Sequence, residues 1–307
     1  MSHPPASSPD WKDWLAAIRR ALRAAAHFRT LPPKNPARAI HLCRSRLKEA
    51  RALLRLASPS LRTAAKTCRD ELARASRTLS AARDAVVVTE TLRKLIRQNH
   101  KLDPGSLPPE LLGDAVGHPD RDRDRALLKQ ASTAAHRVRA RLSAWPEPQE
   151  TPDILASRAT RALRRARKSV PQSFRKATPE AMHDFRKAVI ICHYQSAFMN
   201  KTYGAGNPTL ALSLEKLRKK LGQLNDLYRL ETELTRFSPD TQSDTMTTLG
   251  HAIKRAIKRL KKASKQRAHK ALSPANSRDA RHPPGKTTWT AHAKKAPDNM
   301  AGFILKH

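Results

Sequence analysis

The stretch AIHLCRSRLKEARALLRLA, residues 39–57, determines the fold class, because its residues repeat with the period of an α-helix. An apolar row is formed by Ile40, Cys43, Leu47, Ala50, Leu54 and Ala57. A second row, one residue further on, is formed by His41, Arg44, Lys48, Arg51 and Arg55. Residues three and four apart lie along one side of a helix. The stretch therefore predicts a helix that buries one row and presents a cationic row beside it.

This cationic row has one acidic neighbour, Glu49. Like charges three or four residues apart destabilise a helix by about 0.2–0.5 kcal/mol per pair, and stable surface helices relieve this by mixing in glutamate. A groove that binds an anion explains the scarcity of acids, and a merely solvated face is the alternative.

Proline marks the helix starts along the rest of the chain. A small polar residue precedes Pro9, Pro36, Pro59, Pro152, Pro179, Pro208 and Pro239. This pattern is typical of an N-cap followed by proline at the first helical position. We predict an all-α fold with helices over 10–29, 36–57, 59–81, 83–98, 121–144, 152–169, 179–201, 208–222, 225–237 and 240–271. Residues 101–120 are expected to form a long loop.

The chain also repeats itself at an interval of 142 residues, which separates His41 from His183 and Asp84 from Asp226. Other pairs at this interval are Arg44 and Arg186, Leu47 and Val189, Arg74 and Lys216, Arg77 and Lys219, and Leu79 and Leu221. The repeat predicts two pseudo-symmetric four-helix-bundle halves. We expect a tail over 1–9, one helical domain over 10–271 with halves of about 10–144 and 152–271, and a basic disordered tail over 272–307.

Charge restricts the class of partner. The 307 residues include 61 lysines and arginines against 26 acids, a formal net charge of +35. Such self-repulsion opposes a compact fold unless anions lie among the charges. The expected partner is a polyanion, which is nucleic acid, an anionic membrane surface or polyphosphate. Aromatic residues make up only 4% of the chain, which disfavours a binder that stacks bases.

The second histidine stretch keeps the start of the cationic row and then loses charge, since Ile190 and His193 stand where the first copy has Lys48 and Arg51. Arginine and lysine from several helices suit a chain of phosphates. The candidate binding residues are His41, Arg44, Lys48, Arg51, Arg55, Arg19, Arg23, Arg62, Lys66, Arg69, Arg77, His183, Arg186, Lys187, His193, Lys216, Lys219 and Lys220.

Neither a metal nor another cofactor is expected, because the basic surroundings would repel a cation. Cys43, Cys68 and Cys192 lack metal-binding spacing and fit small apolar core residues. No apolar signal core or membrane-length apolar run is present, so the chain is expected in the cytoplasm.

Four segments resemble one family. The pattern His-x-x-Arg-x-x-x-Lys-x-x-Arg from His41, together with LARASRTLSAARDAVVVTETL (72–92), MHDFRKAVIICHYQ (182–195) and LRKKLGQLNDLYRLETEL (217–234), resembles CHAD domains, the conserved-histidine α-helical family. The resemblance covers roughly 10–271. It implies a two-halved helical fold whose basic surface or channel binds inorganic polyphosphate, in some members on polyphosphate granules.

By matching position, the resemblance carries ligand binding over to His41, Arg44, Lys48, Arg51, His183, Arg186 and Lys187. Some relatives are fused to a triphosphate-tunnel domain with a Glu-x-Glu-x-Lys motif. Glu231 and Glu233 lack the lysine, so hydrolase activity is not inferred. Asp84 and Asp226 match the family's aspartate and are expected to cap helix starts or to orient an arginine rather than to act as an acid or base.

We therefore expect a non-catalytic polyphosphate binder. The alternatives are an architectural nucleic-acid binder, with weak binding through the basic tail, and an enzyme acting on phosphoanhydrides. Arg44→Glu combined with Lys48→Glu is expected to weaken polyphosphate binding and to leave the fold intact. Binding is expected to strengthen when His41 and His183 are protonated.

Overall fold

The described part of the protein, taken from a computed structural model, covers residues 11–29, 35–99, 102–107, 111, 121–146, 151–204, 207–237 and 244–273. These residues form helices and connecting turns, and no strand occurs among them. The protein is therefore all-α, as predicted. The long helices are α1 (Trp11–Ala26), α2 (Pro36–Leu53), α3 (Arg62–Gln98), α4 (Arg121–Arg141), α5 (Pro152–Lys168), α6 (Pro179–Tyr203), α7 (Pro208–Phe237) and α8 (Asp244–Leu272).

Short 3-10 turns extend several helices. They cover His27–Arg29 after α1, Leu54–Leu56 after α2, Pro104–Ser106 in the connection that follows α3, and Leu142–Ala144 after α4. The predicted tails over 1–9 and 274–307, and much of the predicted loop over 101–120, lie outside the described residues.

The proline signals place four helix starts correctly, at Pro36, Pro152, Pro179 and Pro208. The preceding side chain accepts a backbone N–H in each case, as Asn35 Oδ1 does from Arg38 at 3.0 Å. The same bond is made by Thr151 with Ile154, Thr178 with Ala181, and Asn207 with Leu210. Pro59 differs, because it lies in a turn and α3 begins at Arg62.

Two predicted helix breaks are wrong. Residues 81–83 continue α3, and residues 222–225 continue α7, so each pair of predicted helices is one long helix. Asp84 and Asp226 are in helix interiors, and the capping role predicted for them is wrong. A glycine such as Gly222 lowers helix stability by only about 1 kcal/mol, which tertiary packing outweighs.

Two apolar cores hold the helices together. The first buries side chains of α1, α2, α4 and the first part of α3, with Trp14 and Leu47 fully buried. The second buries side chains of α5, α6, α7, α8 and the last part of α3, with Phe185 fully buried. The pseudo-two-fold relation between the halves stays a prediction.

The two histidine helices, α2 and α6, connect these cores directly. The Tyr194 hydroxyl lies 3.1 Å from Ser45 Oγ, and Gln195 Nε2 donates to the Ala52 carbonyl at 2.8 Å in the interior. Phe198 and Met199, near the end of α6, pack in the first core. The two copies of the histidine motif therefore belong to one packed unit.

Candidate functional site

Arg44 belongs to the packing between α2 and α3 rather than to an open cationic row. It is only 7% exposed, and its Nη1 donates to the Ser76 carbonyl at 3.0 Å and to Ser80 Oγ at 2.6 Å. These bonds tie the two helices together. This packing leads us to revise the expectation for Arg44→Glu, because a buried carboxylate facing the Ser76 carbonyl would repel it, so the substitution should destabilise the fold.

The remainder of the row on α2 is accessible. Lys48 and Arg51 are half-buried, Arg55 is exposed in the 3-10 turn that follows the helix, and His41 is exposed near the helix start. The sequence pattern therefore predicts the row correctly except at Arg44, which α3 covers. Helical periodicity alone does not show which side of the row a neighbouring helix covers.

Arginines from three neighbouring parts of the fold form what we call the arginine cluster. They are Arg51 on α2, Arg55 in the 3-10 turn that follows α2, Arg69 and Arg77 on α3, and Arg165 on α5. Burial, followed by the charges of Arg77 and Arg69, lowers the pKa of Arg51. Partial desolvation, followed by the charges of Arg69, Arg51 and Arg165, lowers the pKa of Arg55, although its side chain is exposed. The guanidinium groups are thus close enough to repel one another.

The negative charge of Asp70 acts to raise the pKa of Arg51, Arg55 and Arg69, so this carboxylate partly offsets the positive charge of the cluster. It is already engaged, since Lys66 Nζ lies 2.8 Å from Asp70 Oδ2. One carboxylate that is shared with a lysine leaves the cluster strongly positive. A bound anion with several oxygens would relieve the repulsion, and arginine forks match phosphate oxygens.

Arg165 was missing from the candidate residues. α5 is held beside the end of α2 because Arg158 Nη1 donates to the Leu56 carbonyl, and Arg165 follows Arg158 by two turns on the same side of α5. A sequence signal existed, since Arg165 follows the candidate Arg23 by the repeat interval of 142 residues. The structure brings Arg165, from the second half, to the cationic residues of the first.

On α6, the second histidine helix, the polar residues of the motif lie against α7. His183 is exposed, and its Nδ1 lies 3.2 Å from Asn225 Oδ1 on α7. Arg186 is half-buried beside Gly222, which occupies the repeat position of Ser80. The Arg186 guanidinium therefore lies near residue 222 on α7, as the Arg44 guanidinium lies near Ser80 on α3.

Carboxylates offset part of the positive charge on this second side. Lys187 pairs with Asp184 at 2.9 Å, and Lys219 pairs with Glu215 at 3.0 Å. Lys220 Nζ lies 3.4 Å from Gln223 Oε1, and Lys216 is exposed. The lysine candidates of α6 and α7 are therefore more compensated than the arginine cluster is.

His193 lies in the interior between α6 and α7, at 9% exposure. Burial, and then the charge of Arg218, lower the pKa of His193 to about 4. The imidazole is therefore neutral at physiological pH. Ile190, which replaces the lysine of the first copy, is also 9% exposed. This half of the row was expected to lose charge, and the structure places both positions in the packing.

The remaining candidates lie on α1 and at the start of α3. Arg19 Nη2 donates to the Leu142 carbonyl at 3.0 Å, so it joins α1 to the turn after α4. Arg23 and Arg62 are exposed, and Lys66 is exposed and paired with Asp70. Of these, Lys66 adjoins the arginine cluster through Asp70.

The cysteines lie in the core. Burial raises the pKa of Cys43 and of Cys192 to about 12, and it also raises the pKa of Cys68. Within the part of the chain that the structure describes, no group of three or more His, Cys, Asp or Glu side chains is placed to hold a metal ion. None of the described helices is both long and apolar enough to cross a membrane.

In a comparison with known protein families, the family model of the CHAD domain matches residues 15–235, which is well over half of the chain. The chain belongs to the CHAD family. CHAD domains are associated in general with polyphosphate-related proteins. No curated protein and no solved structure matches the chain.

The match to the CHAD domain includes α2, α3, α5 and α6, and so it includes the whole arginine cluster and both histidines. It ends at residue 235, within α7, and α8 lies beyond it. α8 nevertheless completes the second core of this CHAD protein, with Leu249 and Ile253 buried.

Proposed function

We propose that the protein binds inorganic polyphosphate at the arginine cluster and does not cleave it. The observation that carries this proposal is the crowding of Arg51, Arg55, Arg69 and Arg165, from three helices, around a carboxylate that Lys66 already binds. Crowded, partly buried guanidinium groups gain most from a ligand that supplies a negative charge at every repeat.

The shape of the ligand favours polyphosphate over duplex nucleic acid at this cluster. Arg51 and Arg69 are half-buried. A flexible single chain of phosphates can reach half-buried donors, whereas a duplex presents its phosphates on a broad, stiff cylinder. Membership of the CHAD family supports the same ligand.

The proposal excludes catalysis because phosphoanhydride chemistry relies on carboxylates that hold Mg²⁺ against the developing charge. Asp70 is the carboxylate whose charge influences the arginine cluster, and Lys66 already donates a hydrogen bond to it. Incubation of the purified protein with polyphosphate and Mg²⁺ should release no orthophosphate above a buffer control. If the protein attaches to polyphosphate granules, as some relatives of this kind do, a fluorescent fusion should co-localise with them.

The proposal is tested by titrating the full chain with long-chain polyphosphate at several salt concentrations. Each phosphate contact on a single-stranded polyanion contributes about −0.7 to the slope of log K against log salt, so five arginines predict a slope of about −3.5. A slope near zero, or a failure to bind polyphosphate at moderate salt, would contradict the proposal.

A further inference from the structure

The outer face of α8 carries a second set of cations, which we call the α8 face. It consists of the exposed side chains Lys254, Arg255, Lys258, Arg259, Lys262 and Lys265. The opposite side of the helix is apolar and buried, with Leu249, Ile253 and Ala256 in the second core. The six cations extend over about 16 Å of helix, at a rise of about 1.5 Å per residue.

Acidic side chains do not offset the α8 face. Asp244, in the first turn, is the acid in the α8 sequence. Across the described ranges no carboxylate forms an ion pair with any of the six cations. Lys254, Lys258 and Lys262 follow one another at intervals of four residues, a spacing at which like charges repel.

The fold uses a different lysine of the same helix. Lys261 Nζ donates to the Ala177 carbonyl at 2.8 Å and lies 5.9 Å from the centre of the Tyr228 ring, so it holds the segment before α6 against α8. The α8 face makes no such contact with the described residues, and its six charges point to solvent. Packing therefore explains Lys261 and leaves the six cations of the α8 face unexplained.

The α8 face is separate from the arginine cluster. The arginine charges that lower the pKa of Arg55 lie on α2, α3 and α5. α8 packs against α7 and α5 and lies beyond the residues that match the CHAD domain. The two cationic surfaces can therefore be changed independently.

We propose that the α8 face is a sequence-independent binding surface for duplex nucleic acid. A straight, convex row of exposed cations gives no enclosure, so a flexible chain would lose conformational entropy by lying along it. Duplex DNA is stiff over about 150 base pairs and presents one charge per about 1.7 Å of its axis, so it meets a straight row without that loss. Charge complementarity admits both polyanions, and stiffness favours the duplex over a flexible polyphosphate.

A membrane surface fits the α8 face less well. Interfacial helices bind by inserting an apolar face below the lipid headgroups. The apolar face of α8 is already occupied by the second core, so this helix has only charge to offer to a bilayer.

The test replaces Lys254, Lys258, Lys262 and Lys265 by glutamine in the full chain. We expect the affinity for a mixed-sequence 24-base-pair DNA duplex to fall at least about tenfold, and the slope of log K against log salt to become shallower by about 3 to 4. The affinity for long-chain polyphosphate should change by less than about twofold. Circular dichroism should be unchanged, since all four side chains are exposed.

The matched control replaces four exposed cations elsewhere, Lys94, Arg97, Arg121 and Lys129, by glutamine. The proposal is overturned if this control weakens duplex binding as much as the α8 variant does, or if the α8 variant binds the duplex normally. It is also overturned if the α8 variant loses polyphosphate rather than duplex, or loses only binding to anionic vesicles. The proposed function fails separately, if variants of Arg51 and Arg69 keep their polyphosphate affinity.

Discussion

At the scale of single residues, neighbours decide whether a cation or a histidine is available to a ligand. Arg44 and Arg51 stand seven residues apart in the same sequence row, yet Arg44 is 7% exposed and bonded to α3, and Arg51 faces other arginines. His183 is exposed, whereas His193 is buried. The residue types were predictable from the sequence, but their availability was not, because it depends on which helix covers each side.

His193 should make stability depend on pH. Because burial lowers its pKa from 6.5 to about 4, the unfolded chain binds a proton in this window and the folded chain does not. Acidification from 6.5 towards 4 therefore favours unfolding, by up to about 1.4 kcal/mol per pH unit from this group. In urea titrations across this range, His193→Gln should show a shallower loss of stability than the wild-type protein.

The matched control for this prediction is His183→Gln, which changes an exposed histidine and should keep the wild-type pH dependence of stability. Parallel stability curves for the wild-type protein and His193→Gln would show that His193 does not hold the low pKa in the folded state.

At the scale of helices, local signals fixed where helices begin better than where they continue. The Asn or Thr caps before Pro36, Pro152, Pro179 and Pro208 act through nearby backbone, so their sequence is sufficient. The lengths of α3 and α7 depend on packing instead. The last part of α3 continues because Leu92 and Leu95 reach the second core, a long-range contact that no local pattern shows.

Glycine-to-alanine substitutions test whether α7 and α8 are continuous helices at these positions. Gly222 lies inside α7 with space for a methyl group, since an added Cβ would meet Arg186 Nη2 at 3.9 Å, and Gly250 lies inside α8 with nothing within 4 Å. Gly222→Ala and Gly250→Ala should each raise the free energy of unfolding by about 0.5–1 kcal/mol. Urea denaturation measures both changes.

Gly204 is the contrasting position, because it ends α6 in the left-handed conformation at φ +59°. Gly204→Ala should lower the free energy of unfolding by about 1 kcal/mol or more. A loss of stability in Gly222→Ala, alongside a gain in Gly250→Ala, would contradict the assignment of residue 222 to an ordinary helix interior.

At the scale of the whole molecule, the fold must accommodate a formal net charge of +35. Composition alone leads to the expectation of a polyanionic partner, which stays a prediction, and helical periodicity was sufficient to predict the cationic row of α2 apart from the burial of Arg44. The arginine cluster could be predicted only in part. Arg165 joins Arg55 through the packing of α5 on the end of α2, which brings together residues that are far apart in the chain.

The central claim is that the position of the charges, rather than their number, creates the polyphosphate site. The most direct measurement is calorimetric titration of long-chain polyphosphate into the variant with Arg51, Arg69 and Arg165 replaced by glutamine, and into a control with Lys94, Arg97 and Lys129 replaced. Both variants lose three positive charges. We predict that affinity falls at least about tenfold in the first and less than about twofold in the control, because charge-assisted bonds from a crowded site are the stronger ones. Equal losses in the two variants would contradict the account.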